Sequence, residues 1–261
     1  MSVARHFGHG PRQALALHCS LAHAGEWAGL GLALADRVTL TAIDLPGHGS
    51  AADWQPGTDM SETAVAMALA AMPEGAVDVI GHSFGAVVAL RLALEHPERV
   101  RSLTLIEPTL FVAAAGDKAA TAGYLALHQP FDRAIAADDR ETAAQLFTVI
   151  WGAGEDWAQL PARQSSYIAA RIHLIPAALP VLGEDSGHLL APGRLEGFDR
   201  PVLLVEGGDS PAIIGAIATA LAARLPHATR ATIPGARHML PLTHTAQVAA
   251  VIGDFLAANE A

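Results

Sequence analysis

The sequence predicts an α/β protein: a mostly parallel sheet flanked by helices, with a helical cap inserted into it. Three observations predict this. Short apolar runs alternate with helix-length segments along most of the chain, the order that builds a parallel sheet covered on both faces. ALAL, VDVI and PVLLV are apolar almost without interruption, as strands buried on both sides are. The alternation fails once, between Glu107 and Pro201, over about 90 residues without a convincing strand, far longer than a simple loop.

In chain order, residues 13–18 (QALALH) form the first strand and 26–36 the first helix. Residues 38–43 (VTLTAI) form the second strand, 59–72 an Ala-rich helix, and 77–80 (VDVI) the third strand. A helix over 85–95 (GAVVALRLALE) is closed by Pro97, which cannot continue it. Residues 101–106, 201–205 and 228–233 are the remaining strands, with helices at 211–225 and 244–257. The core then comprises residues 1–107 and 200–261, and the cap 108–199. Helical patterns at 139–151 and 162–173 fill part of the cap. Its Tyr124, Phe131, Phe147, Trp151, Trp157 and Tyr167 read as the cap's own core, because aromatic side chains fill cores first. The Ala-rich AAAGDKAATAG at its start reads as a hinge.

Composition bounds the function. Of 261 residues, 51% are hydrophobic and 16% charged, which allows a sizeable core and argues against disorder. The net charge of −10, without a Lys/Arg cluster, argues against binding to duplex nucleic acid or to an anionic membrane surface. Cys19 is the only cysteine, so no intrachain disulfide forms. The N-terminal MSVARHFGHGP lacks the apolar run of a signal peptide, and no apolar run approaches the roughly 18 residues of a membrane span. Thirteen histidines are present without an HExxH or a CxxC pair. The expectation is a soluble cytoplasmic protein that acts on a small molecule, with neither metal nor cofactor. Oligomeric state and substrate identity have no readable signature.

The strongest chemical signal is Gly81-His82-Ser83-Phe84-Gly85, a GxSxG between a strand and a helix. In that context the serine stands on a sharp turn with its hydroxyl exposed, and the glycines let the turn close. The helix that follows points its N-terminus at developing negative charge. Ser83 is the candidate nucleophile. A serine hydroxyl needs a base, and His238, in IPGARHMLPLTH after the last strand, occupies a loop at the sheet edge where such sites gather. His244, six residues on, reads as a helix cap or a solvent-facing side chain.

Two carboxylates compete to orient His238. Asp209 lies after the strand PVLLV, and Glu107 directly follows RSLTLI. Both loops leave the same sheet edge. Asp209 could also cap the helix near Pro211, and Glu107 could be an edge carboxylate before Pro108. The oxyanion donors are expected to be the backbone N–H groups of Phe84 and Ser20, with His18, His23 and Trp27 shaping the pocket. Cys19 reads as a buried filler.

These residues resemble the α/β-hydrolase superfamily over essentially the whole chain. LHCSLAHAGEW, IDLPGHGSA, GHSFG, HPERVRSLTLIEP and IPGARH carry the resemblance. It implies an α/β-hydrolase fold with a cap and an esterase, lipase-like, lactonase or carbon–carbon bond hydrolase activity, with Ser83, His238, Phe84 and Ser20 in the roles above. Its usual His-Gly at the oxyanion turn is His18-Cys19 here. Its usual acid, counted from Gly207, falls on Ser210, with Asp209 one residue early; other members carry the acid where Glu107 stands. A one-residue shift in a loop is easy, which tips the expectation toward Asp209. Serine at the elbow argues against the dehalogenase and epoxide hydrolase branches. The function expected is a serine hydrolase cleaving a small carboxylic ester. A diketo-acid hydrolase using Arg163 or Arg171 for the substrate carboxylate, and a weakly catalytic ligand-binding protein, are the rival readings.

Overall fold

A computed structural model describes residues 4–259; residues 1–3 of the N-terminal segment read above lie outside it. Strand β1 (Arg5–Phe7) pairs antiparallel with β3 (Val38–Ile43), which lies parallel to β2 (Arg12–Leu17). From β2 the sheet continues, all parallel, through β4 (Val77–His82), β5 (Val100–Ile106), β6 (Val202–Gly207) and β7 (Ala228–Ile233). The spatial order is β1-β3-β2-β4-β5-β6-β7. All six expected strands are present. The additional β1 is three residues of polar edge (RHF), too short to carry a period of its own.

Helices α1 (Ala28–Ala33), α2 (Met60–Ala71) and α3 (Phe84–Glu95) connect the first strands. Between β5 and β6 stand α4 (Lys118–Ala136), α5 (Arg140–Trp151), α6 (Ala162–Arg171) and α7 (Leu174–Glu184); α8 (Ala212–Ala222), α9 (Leu240–Thr243) and α10 (Thr245–Ala258) follow. The sheet is covered on both sides. Leu15 and Leu17 of β2 join Ala64, Val87 and Ile213 beneath α2, α3 and α8, while Ala14 and Ala16 join Leu30, Val248 and Ile252 beneath α1 and α10. In β6, Leu204 faces the first cluster and Leu203 and Val205 the second. The two-residue period of a strand thus feeds two cores, each buried Leu or Ile contributing about 1.5–3 kcal/mol.

Asp78 interrupts VDVI and is 1% exposed. Arg12 donates to both its oxygens at 2.9 Å and Ser102 Oγ donates at 2.7 Å, so the buried charge is paired and hydrogen-bonded.

The inserted helices have a small core of Phe131, Ala134, Ala143, Ala144, Ile172 and Ile175, and α4 packs on α5 and α8. The expected hinge is instead a 3-10 turn (Phe111–Ala114) followed by the start of α4. The Asp117 side chain accepts from Ala120 N at 3.0 Å, and a capped Ala-rich run is a strong helix former. Helix α7, absent from the expectation, runs through Pro180, a residue that hides the helical pattern in sequence. Among the described residues no single helix is long and apolar enough to cross a membrane.

Candidate active site

The elbow is glycine-flanked because its backbone is crowded. A Cβ on Gly81 would stand 2.3 Å from the Gly85 carbonyl oxygen, and one on Gly85 2.2 Å from that of Leu17. Ser83 itself sits at φ 56°, ψ −119°, a conformation that costs an L-residue energy and persists only where the surroundings impose it. Ser83 N donates to Ile106 O (2.9 Å) and Ala86 N to Ser83 O (3.0 Å), which hold the turn.

His238 Nε2 lies 3.0 Å from Ser83 Oγ, and His238 Nδ1 lies 2.9 Å from Glu107 Oε2. Burial pushes the His238 pKa down, partly opposed by the Glu107 hydrogen bond and charge. Glu107 directly follows β5 at φ 49°, and its amide donates to Val205 O at 2.8 Å. Its second oxygen accepts from Gly207 N (2.6 Å) and Ser210 Oγ (2.9 Å).

The structure therefore brings Glu107, and not Asp209, to the imidazole. Asp209 is exposed and its amide donates to Ala236 O at 2.9 Å. It does not cap α8 either, whose N-cap is Pro211. The shift of one residue matters here because this loop turns Ser210, rather than Asp209, toward the site. Ser210 then serves the carboxylate instead of replacing it.

At the turn after β2, His18 Nε2 accepts from Leu45 N at 2.9 Å, which leaves Nδ1 carrying the proton and donating to Cys19 O at 2.7 Å. Burial lowers the His18 pKa, which favours that neutral form. A peptide plane points its N–H opposite its C=O, so fixing Cys19 O also fixes the Ser20 N–H. Among the described residues, neither Ser20 N nor Phe84 N has a protein hydrogen-bond partner. Cys19 is buried, its thiol pKa is pushed well up by burial, and its Sγ lies 3.9 Å from Met239 Sδ. Asp44 of the DLPGHG segment ties this region together, accepting from Ala24 N (2.7 Å), Ser50 N (2.8 Å) and Ser50 Oγ (2.9 Å).

Glu26 and His82 are also brought together, and the sequence does not single them out. Glu26 Oε2 accepts from Cys19 N at 3.0 Å, Glu26 Oε1 is hydrogen-bonded to His82 Nδ1, and His82 Nε2 donates to His238 O at 2.9 Å. The one available signal is that His82 fills a variable place of GxSxG with a titratable side chain. Of the other residues expected to shape the pocket, His23 caps a 3-10 turn through Gly25 N and Trp27 is buried in the core. His244 stands at the N-cap of α10 without capping it through its side chain.

Above Ser83 and His238 opens a narrow cavity. Thr109, Phe111, Tyr124, His128, Phe131, Phe147, Trp151 and Leu179 line it. The expectation that the inserted aromatics form only a local core is corrected for Tyr124, Phe131, Phe147 and Trp151, which face this cavity; Phe131 and Phe147 also pack in the inserted core. The physical reason is that α4, α5 and α7 sit over the sheet edge, so their inner apolar faces meet empty space above the elbow. Trp151 lies edge-on to His238 with ring centroids 4.7 Å apart, and its Nε1 donates to His128 Nε2 at 2.7 Å. Tyr167 instead bridges Gly49 N and Ala22 O, and Trp157 packs on the inserted core. Among the described residues, Asp132 is the only Asp, Glu, Lys or Arg side chain on the wall. Arg171 donates to Gly47 O at 3.1 Å and stacks on Tyr167, and Arg163 is exposed.

Residues 15–245 match the family described as alpha/beta hydrolase fold. The chain is 31% identical over 262 residues to the pimeloyl-[acyl-carrier protein] methyl ester esterase of Xanthomonas campestris pv. campestris (strain B100), covering 96% of this chain and 97% of that one. It is 32% identical to the protein of the same name from Methylococcus capsulatus, covering 97% of each. Its fold superposes on an alpha/beta hydrolase from Sphaerobacter thermophilus with a TM-score of 0.71 at 24% identity, covering 98% and 96% of the two chains. The chain belongs to the α/β-hydrolase family.

Proposed function

We propose that this protein is a serine hydrolase that cleaves a small carboxylic ester, with Ser83 as nucleophile, His238 as base and Glu107 as the acid that orients it. The observation that carries this reading is the unbroken chain from Ser83 Oγ through both nitrogens of His238 to Glu107, at the floor of an apolar cavity. The relatives' names support ester hydrolysis and suggest a small alcohol such as methanol as leaving group.

In the mechanism, Ser83 Oγ attacks the ester carbonyl carbon while His238 Nε2 takes its proton. Glu107 holds the Nδ1–H tautomer and stabilises the imidazolium formed. The carbonyl oxygen gains negative charge against the N–H groups of Ser20 and Phe84, each such donor being worth about 10²–10³ in rate. The C–O bond to the alcohol breaks as His238 returns the proton to it. Water then attacks the acyl enzyme by the same route, releasing the acid and restoring Ser83. The inserted helices act as the cap that walls the acyl site and limits water entry.

The aromatic wall without Lys or Arg favours a neutral apolar acyl chain. It offers no cation to the carboxylate of a diketo acid, since Arg163 and Arg171 lie elsewhere. The testing experiment is hydrolysis of p-nitrophenyl esters of graded acyl length by the wild type and Ser83→Ala. Turnover that vanishes in the variant supports the proposal, and turnover that survives in it overturns it.

A further inference from the structure

A buried carboxylate–imidazole pair lies beneath the reacting groups and outside the substrate cavity. Glu26 and His82 are 5% and 0% exposed, and neither lines the cavity. Their hydrogen bonds leave little freedom in proton placement. The His238 carbonyl can only accept, so His82 Nε2 carries a proton. His82 Nδ1 shares a second proton with Glu26 Oε1, and Glu26 Oε2 accepts from Cys19 N. The groups joined come from separate segments: the turn after β2, the 3-10 turn Ala24–Trp27, the end of β4 and the loop after β7.

We propose that the Glu26–His82 pair is the positioning unit of this site, holding the backbone at Cys19 and at His238 in register with Ser83 and setting an imidazolium beside the base. The inference rests on the proposed roles of Ser83 and His238. The Ser83–His238–Glu107 contacts at 3.0 and 2.9 Å require the His238 backbone to stay put, because misplacing a reacting group by about 1 Å can cost 10²-fold in rate. The hydrogen bond from His82 Nε2 to His238 O supplies that anchor. On the other side, Cys19 precedes Ser20, whose N–H is the proposed oxyanion donor, and Glu26 anchors the amide of Cys19.

The pair also sets charge. Burial alone would lower the His82 pKa, but the Glu26 carboxylate raises it above the ordinary histidine value; burial would raise Glu26, yet His82 holds it below the ordinary carboxylate value. The groups facing the pair are His18 and Cys19 from the oxyanion turn and His238 and Glu107 from the base side. The His82 and His238 rings are 5.1 Å apart. The His82 cation opposes protonation of His238, while Glu26 and Glu107 favour it. Of the pair's own two charges, the His82 cation acts on His238 more strongly than the Glu26 carboxylate, so losing the pair makes His238 easier to protonate.

The test uses Glu26→Gln, His82→Gln and the double variant of the full chain, with kcat and KM for p-nitrophenyl esters across pH and thermal melts as a folding control. The expected result is a kcat lower by about 10–100-fold with KM within about twofold, and an acid limb moved to higher pH by roughly half a unit or more. The double variant loses no more than the worse single one, because the two side chains act as a unit. A loss equal at all pH values, with the acid limb unmoved, means a merely structural pair and overturns the proposal. NMR of ¹⁵N-histidine-labelled protein needs neither turnover nor folded variants. Both His82 nitrogens protonated between pH 6 and 8 in the wild type is the expected result, and a neutral His82 over that range overturns the proposal. Absence of all ester turnover in the wild type counts against the hydrolase reading alone, while the NMR result decides the pair by itself.

Discussion

At the scale of single residues, the proposed chemistry depends on which carboxylate touches His238 Nδ1. Glu107 accepts there at 2.9 Å, with Gly207 N and Ser210 Oγ on its other oxygen. Glu107→Gln is predicted to lower kcat by about 10²–10⁴-fold, because the amide no longer enforces the tautomer or offsets the imidazolium. Asp209→Asn is predicted to stay within twofold. Steady-state kinetics of the two variants checks both. The sign of the pH dependence follows from His238, whose pKa burial lowers below the ordinary value of 6.5. The base is neutral above that pKa, so kcat/KM rises with pH through a midpoint below 6.5 and then levels off. Glu107 raises the His238 pKa, so in Glu107→Gln the residual activity has its midpoint at lower pH. A rate profile across pH 4–9 reads both midpoints. Ser83 and His238 were legible in the sequence because a strand–GxSxG–helix and a histidine after the last strand are local patterns. The acid was not, because the choice turns on the positive φ of Glu107 and on the side of a loop that Asp209 faces, which no spacing encodes. Glu26 and His82 were invisible for a similar reason: they are 56 residues apart and meet only in the fold.

At the scale of elements, the site is assembled from strand ends. β2 delivers Ser20, β4 delivers Ser83, β5 delivers Glu107, β6 delivers Gly207 and Ser210, and β7 delivers His238. Parallel strands bring these ends to one edge, so the sheet register fixes the site. That register includes the pair of half-buried Arg12 on β2 and buried Asp78 on β4. Asp78→Ala removes the carboxylate that pairs with the Arg12 guanidinium, which also donates to Leu256 O and Asn259 O, and leaves Ser102 Oγ without its buried acceptor. The predicted loss is about 3 kcal/mol or more of folding stability, read as a lower urea midpoint at an unchanged slope. The strands of the sheet were legible because apolar runs and their alternation with helices are periodic signals. Much of the insertion was not. Helix α4 begins in an Ala-Gly run that only the Asp117 cap organises, and α7 carries Pro180 inside it. Both features mimic loop composition while tertiary packing keeps the segments helical.

At the scale of the whole molecule, the sheet supplies the proposed reacting groups and the insertion supplies the wall facing them. Trp151 joins the two layers, edge-on to His238 and hydrogen-bonded to His128 of α4. The wall is aromatic and aliphatic, with Asp132 as its only carboxylate, Lys or Arg among the described residues. Esters with a neutral acyl chain are therefore predicted to react at least about tenfold faster, in kcat/KM, than esters of equal length ending in a carboxylate, because burying an unpaired charge is costly. Paired substrates differing only at that end measure the ratio. The central claim, that Ser83 is a nucleophile activated by His238 and Glu107, is tested most directly by reaction with a fluorophosphonate followed by peptide mass spectrometry. The account predicts one phosphonyl group per chain on Ser83, none in Ser83→Ala, and much slower labelling in Glu107→Gln. A wild-type chain left unlabelled, or labelling that persists in Ser83→Ala, would contradict it.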